Sequence, residues 1–318
     1  MTDNVQPEMK DRDPKVTLLT CSFRGDFDLC KMMCESVDRF VPGQISHLVY
    51  VPKSDFPLFG ELTSERRKML PEDGMLPRWF RKVPLPPAKW RKRLKLPRRN
   101  IYWTPYSRPV RGWIAQQIMK LQAAAGAPTE IILHVDSDIE FVRPMTIERL
   151  MPKPGLVRLY QFASPAPMDS HILWHQTAYK LLGVPDPGPS AYQQDYIGSV
   201  VVWRRSVVHK LLQEIERVGG RDWRIVLART PYFSEYILYG TFATRVLGLA
   251  EAGHVVEPSS LCLCRWSDEF KDAAGEREFV EALEPGEVAC CLQSTLAITL
   301  AERRRIFERV AEFAARQV

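Results

Sequence analysis

Residues 131–141 read Ile-Ile-Leu-His-Val-Asp-Ser-Asp-Ile-Glu-Phe, a nearly continuous apolar run that ends in two carboxylates one residue apart. So short a stretch of β-branched and aliphatic residues predicts a strand buried on both faces, which requires a sheet with helices on either side. Such sheets bind their ligands beyond the carboxyl ends of the strands, where Asp136 and Asp138 would emerge. Two carboxylates there suit a hard divalent ion, Mg²⁺ or Mn²⁺, whose remaining positions a diphosphate can fill. Asp-x-Asp alone also occurs in ordinary turns, with the side chains bonded to nearby amides. The strand running into this one, and the apolar Phe141-Val142 after it, favour a metal and diphosphate site.

The pattern around this strand fits the same architecture. Lys15–Thr20 reads as a strand, followed by a polar loop from Cys21 to Asp28 and a helix through about Phe40, in which Leu29, Met32, Met33, Ser36, Val37 and Phe40 recur at helical steps. His47–Val51 is a second strand, and Gly112 begins a helix that Gly126 and Pro128 stop after Ala125. This alternation predicts an α/β fold: a Rossmann-like, mostly parallel central sheet flanked by helices, with a smaller mixed C-terminal part. Strands are expected over 155–162, 199–203, 261–265 and 288–292, and helices over 207–218, capped by Ser206, and 232–247. Thr299 to Glu302 fits a capping box that opens a last helix. The cluster Val184–Pro189 reads as a loop over the site. A single domain over 1–318 is expected, with a nucleotide-binding half about 15–145, an acceptor-side half about 146–318 and a basic insertion about 76–100. Neither Gly-x-Gly-x-x-Gly nor a P-loop is present, which disfavours dinucleotide binding and P-loop phosphate cradling.

Charge is concentrated. The chain carries +6, yet Arg78–Arg99 holds ten basic residues and no acidic one, leaving 34 basic against 38 acidic elsewhere. Its prolines break helix, and its Trp and Phe residues can enter an interface, so it reads as a mobile loop. A peripheral contact with an anionic membrane, a phosphorylated substrate, or a solvated insertion with no partner all fit, while nucleic acid is disfavoured. The N-terminus is polar, with no secretory signal and no long apolar window, which predicts a cytoplasmic protein, at most peripheral at the inner membrane face. Seven cysteines without Cys-x-x-Cys spacing read as reduced and mostly buried.

Transfer of a sugar from a nucleotide needs a cation for the departing diphosphate, a base for the acceptor hydroxyl and contacts to the nucleotide. Asp136 and Asp138 are the metal candidates, with Asp138 the more direct ligand. Glu235, at a probable helix start in Tyr232-Phe233-Ser234-Glu235-Tyr236, is the preferred base, and Asp195 in Gln194-Asp195-Tyr196 is the second candidate. An acidic residue in a first helical turn is also ordinary dipole complementation. Thr20, Ser22, Arg24 and Asp26 follow the first strand and are placed to contact the donor, as are Asp136 and Ser137. Gln117 and Lys120 share a helix face, and Lys120 is in a position to reach a phosphate. His171 and His175, four apart, lack a third ligand for a metal site. Gln293-Ser294-Thr295 is a further candidate for returning polar groups to the site.

Taken together, Thr20–Asp26, Gly112-Trp113 with Gln116-Gln117 and Lys120-Leu121, His134–Asp138, Ser234–Gly240 and Gln293-Ser294 resemble a poorly characterised family of bacterial glycosyltransferases of GT-A type. The resemblance spans most of the chain. It implies a GT-A-like fold, a DxD metal site at Asp136-Ser137-Asp138, Mn²⁺ or Mg²⁺, a nucleotide-sugar donor of UDP or GDP type, and a carbohydrate or glycoconjugate acceptor in surface polysaccharide synthesis. A C-terminal histidine ligand, frequent in GT-A enzymes, has no counterpart in a familiar motif here. If Glu235 matches the base of inverting GT-A enzymes, displacement with inversion follows. The alternatives are a nucleotidyltransferase, against which the single glycine between Cys21 and Asp28 counts, and a non-catalytic protein held at a membrane or nucleic acid by its basic segment.

Overall fold

The structure is a computed structural model that describes residues 15–84, 86, 90, 100–266, 270 and 272–317. The polar N-terminus, Met1 to Pro14, and much of the basic run (85, 87–89 and 91–99) lie outside the described residues.

Five strands form the central sheet: β1 (Val16–Cys21), β2 (Ser46–Val51), β3 (Arg67–Pro71), β4 (Ile131–Val135) and β5 (Val200–Arg204), in the order β5-β4-β1-β2-β3. The first four run parallel, and β5 adds an antiparallel edge with Val200 opposite Val135. Successive side chains of a strand point to opposite faces, so each apolar run feeds two cores. Leu18, Leu133 and Val202 meet Met33 and Val37 of helix α1 (Phe27–Phe40) on one side. Leu19, Ile132 and Trp203 meet helix α2 (Gly112–Ala125) on the other, through Ile118 and Leu121. That second layer also holds α3 (Asp169–Leu181), α4 (Arg205–Gly219) and α5 (Glu235–Thr241). The observed fold is thus the expected α/β arrangement with a mostly parallel sheet.

Beyond β4 the chain crosses to a smaller sheet, in which Ile139–Phe141 pairs antiparallel with Ala289–Leu292, itself parallel to Cys262–Arg265. The backbone N–H of Phe141 donates to Ser36 Oγ at 2.9 Å, tying this sheet to α1. The last helix, α6 (Leu300–Arg316), packs on the small sheet and starts with the expected capping box between Thr299 and Glu302. All seven cysteines are free. Among the described residues no helix is long and apolar enough to cross a membrane.

Two local expectations are corrected and one strand is added. Strand β3 was unforeseen, since it opens on two basic residues, Arg67 and Lys68, with only Met69 and Leu70 behind them. That guanidinium is buried, donating to Asp38 Oδ1 at 2.6 Å, His47 Nδ1 at 2.9 Å and the Cys34 and Leu62 carbonyls. Ser206 does not cap α4, which already begins at Arg205; its hydroxyl donates to Glu130 Oε1 at 2.5 Å, and Glu130 Oε2 accepts from the Ser206 N–H. The helical stretch expected from Tyr232 begins only at Glu235 and passes into a π-helical turn over Phe242–Val246. The loop Val184–Pro189 is anchored on α3: Val184 packs with Tyr179 and Tyr192, and Asp186 accepts from the Tyr192 hydroxyl.

Candidate functional site

β4 ends at Val135, and the chain turns through Asp136-Ser137-Asp138 before entering the small sheet. The two sheets diverge at this turn, which leaves both carboxylates half-buried around a buried Ser137. From α2, Lys120 reaches the same place. Its ammonium lies 3.0 Å from Asp136 Oδ1, 2.9 Å from the Tyr236 hydroxyl and 3.4 Å from Glu235 Oε1. One helical turn earlier, Gln117 Oε1 accepts from the Glu235 N–H at 2.9 Å, fixing the start of α5 against α2. Gln117 Nε2 and His134 Nε2 are buried here without a hydrogen-bond partner. Gln117, Lys120, Asp136 and Glu235, from three separate stretches of sequence, are therefore brought together as one cluster.

The cluster is electrostatically tight. Burial pushes the Lys120 pKa down, but Asp136, Tyr236 and Glu235 outweigh it and hold the ammonium well above its usual range. Burial raises the Glu235 carboxyl despite the pull of Lys120. His134 is pushed down to about 3 by burial and then by Lys120, so its ring is neutral. An ammonium has three donors, and all three of these meet acceptors, so Lys120 clamps carboxylates where the sequence suggested a phosphate contact. Glu235 is only 4% exposed, which closes it to an acceptor hydroxyl. Tyr236, whose hydroxyl completes the clamp, was missed by the sequence reading, although its adjacency to Glu235 was the available signal.

Asp138 faces the opposite wall. Its Oδ2 accepts from the Ser294 N–H at 2.8 Å, so the polar segment after the late strand does return to the site. Burial and then the charge of Asp136 push the Asp138 carboxyl up to about 6. Arg303, buried by its bonds to the Gln293 and Leu296 carbonyls, lies close enough to act on both Asp138 and Asp26. Asp136 and Asp138 thus crowd negative charge that a cation would relieve, which fits the chemistry of a hard ion. Their number is small: among the described residues no three His, Cys, Asp or Glu side chains are arranged to hold a metal. Any ion there would take much of its shell from a ligand, as Mg²⁺ commonly does with phosphates.

The loop after β1 divides. Thr20 is buried and bonded to His47 Nε2 at 3.1 Å, away from Asp136. Ser22 is buried with its N–H on the Tyr50 carbonyl. Arg24 donates to Asp55 through both its N–H and Nε. Asp26 stays half-buried, its carboxyl raised by burial against the pull of Arg303. Of these four, only Asp26 bears on the Asp138 wall.

Asp195 is 1% exposed and belongs to a second group. Its Oδ1 accepts from the N–H groups of Tyr196 and Ile197 at 2.7 and 3.0 Å, and its Oδ2 makes a short contact with His171 Nδ1. The His171 ring stacks on Trp174, which lies against Trp113 at the start of α2. His175 does not join them: buried beside Tyr192 and Tyr196, it is pushed down to about 4 by desolvation. A surface cleft of about 380 Å³ lies by the N-terminal end of α2 and includes Tyr106, Arg108, Arg111 and Arg229 in its lining.

No curated protein matches the chain. One family model does, over residues 16–317, nearly the whole of the described structure. The chain belongs to that family, DUF6492, a family of unknown function.

Proposed function

We propose that the chain is a metal-dependent glycosyltransferase of GT-A type, moving a sugar from a UDP- or GDP-linked donor to a hydroxyl of a carbohydrate or glycoconjugate. The observation that carries this reading is the pair Asp136 and Asp138, set at the carboxyl end of a buried parallel strand, with Asp136 held at one oxygen by Lys120. That clamp leaves the second oxygen of Asp136 for Mn²⁺ or Mg²⁺, with Asp138 Oδ1 beside it, which takes only a long contact from the Cys291 thiol at 3.8 Å. Bound there with a donor, the ion would neutralise charge on the departing diphosphate. The residues of the chain do the rest by position. Lys120 orients Asp136, Gln117 and Tyr236 fix Lys120 and Glu235, and the Ser294 N–H fixes Asp138.

The cleft bearing Arg108, Arg111 and Arg229 suits an acceptor with anionic groups. Tyr106 in that lining and Trp103, whose strand pairs with Arg81, are partly exposed; the basic sequence run 78–99 suits an anionic membrane face. A role in polysaccharide or glycoconjugate assembly follows from such an acceptor.

Thermal stability measured with UDP, GDP and their sugar conjugates, with and without Mn²⁺, tests the reading on wild type and Asp138→Ala. A nucleotide at a hundredfold excess over its Kd adds about 2.7 kcal/mol to the folded state. One nucleotide should stabilise the wild type only with Mn²⁺ and leave the variant unmoved. A folded wild type that responds to none of them overturns the proposal.

A further inference from the structure

Glu235 was the base expected from the sequence, but it lies buried behind Lys120, and Asp195 has both oxygens engaged. A group in the neighbouring Asp195 cluster that can both accept a proton and be approached from outside is His171. Its side chain keeps 15% of its surface exposed while its partner Asp195 keeps 1%. A carboxylate only accepts, so the contact with Asp195 Oδ2 places the imidazole proton on Nδ1 and leaves the Nε2 lone pair free. Two backbone N–H groups hold the other oxygen of Asp195, so the carboxylate cannot rotate away. Trp174 fixes the plane of the ring from its face, and Trp113, next to Trp174, sits one helical turn before Gln117.

The pair is tied to the Asp136 site along the chain as well. Asp195 lies four residues before Ser199, whose carbonyl accepts from the Asp136 N–H at 3.4 Å. Four residues span at most about 14 Å between these α-carbons, an interval into which a diphosphate and the anomeric carbon joined to it can extend from Asp136.

We propose that His171 is the general base for the acceptor hydroxyl, and that Asp195 is the residue that positions it. This rests on the glycosyltransferase reading. Nε2 takes the hydroxyl proton as the acceptor oxygen bonds to the anomeric carbon. The bond from that carbon to the diphosphate oxygen breaks, and the nucleoside diphosphate leaves with the electron pair. The proton on His171 then passes to solvent. Such a single displacement inverts the anomeric centre.

The test compares wild type, His171→Gly, His171→Gln and Asp195→Asn. Melting with UDP or GDP and Mn²⁺ reads donor binding. Release of nucleoside diphosphate from UDP- and GDP-sugars, with a mixture of carbohydrate acceptors, reads turnover. A positioned base contributes about 10²–10⁴-fold. His171→Gly should therefore lose at least a hundredfold in kcat, keep its nucleotide-dependent stabilisation, and recover turnover when imidazole is added. Asp195→Asn should lose kcat with KM for the donor unchanged. Because Asp195 is buried, His171→Gln, which leaves it a hydrogen-bond donor, guards against loss of fold and should be as inactive as His171→Gly without imidazole rescue. Turnover within threefold of wild type in the His171 variants overturns the proposal, as does a folded His171→Gly that imidazole fails to rescue. A wild type stabilised by no nucleotide removes the transferase reading itself, and the assignment of His171 with it; stabilised variants that still turn over remove only the latter.

Discussion

Replacing Lys120 with Met keeps the length of the side chain and removes the charge on which the site is built. The ammonium lies 3.0 Å from Asp136 and 3.4 Å from Glu235, and the latter's side chain is 6% exposed. Breaking one partner out of a buried ion pair costs about 3–5 kcal/mol, because a charge is left desolvated and unmatched. The two carboxylates do not share that cost equally. Asp136, with a third of its side chain in solvent, can hydrate, whereas Glu235 must take up a proton. Glu235 is already raised above the usual carboxyl range by burial, and losing Lys120 raises it further. A carboxyl with a raised folded pKa favours the folded state at low pH and loses that advantage as pH rises through the folded value. Urea denaturation should therefore show a loss of about 3–5 kcal/mol at pH 8 that shrinks by more than about 1 kcal/mol at pH 5. Adding Glu235→Gln to Lys120→Met should recover at least half of the loss at pH 8. A loss below about 1 kcal/mol, or one independent of pH, would refute the idea that Lys120 neutralises this cluster.

Glu140 lies on the small sheet with Oε2 buried and unpartnered, its carboxyl pushed up to about 7 by burial. Wild-type stability should fall between pH 4.5 and 7, and Glu140→Gln should remove that contribution and be more stable at pH 8 by about 2 kcal/mol in calorimetry. At Gly240 a Cβ would stand 2.2 Å from the ring of Tyr196. Gly240→Ala should therefore destabilise by about 2 kcal/mol in denaturant, where helix propensity alone would stabilise by about 1; a gain in stability would show that the α5 contact is loose.

Much of the N-terminal half was legible because its signals are local. The periodicity of Met32, Met33 and Val37, the Gly126 stop and the Asp-x-Asp after a buried strand each depend on neighbours in sequence. What escaped depends on distant partners. Nothing local marked β3, because the partners that satisfy Arg67 at its start, Asp38, His47 and two carbonyls, lie elsewhere in the sequence. Helix α3 was not expected, since Asp169–Leu181 mixes polar and apolar residues without a clean stripe. At the site, Lys120, Asp136 and Glu235 were each named, yet that they meet was not legible, because the bond that completes the cluster, from Lys120 to Tyr236, spans 116 residues. Likewise Asp195 was named without His171, 24 residues earlier, because a hydrogen bond between a helix and a two-residue strand leaves no spacing to read.

The most direct measurement is Mn²⁺ binding, followed by loss of the free-ion signal in electron paramagnetic resonance, for wild type and Asp138→Asn with and without UDP or GDP. With only two carboxylates to offer, the wild type should bind the ion weakly alone and tightly, at one per chain, with the matching nucleoside diphosphate; Asp138→Asn should lose the nucleotide-dependent binding. Equal Mn²⁺ binding by wild type and variant, or no nucleotide dependence in either, would contradict a metal and diphosphate site at Asp136 and Asp138.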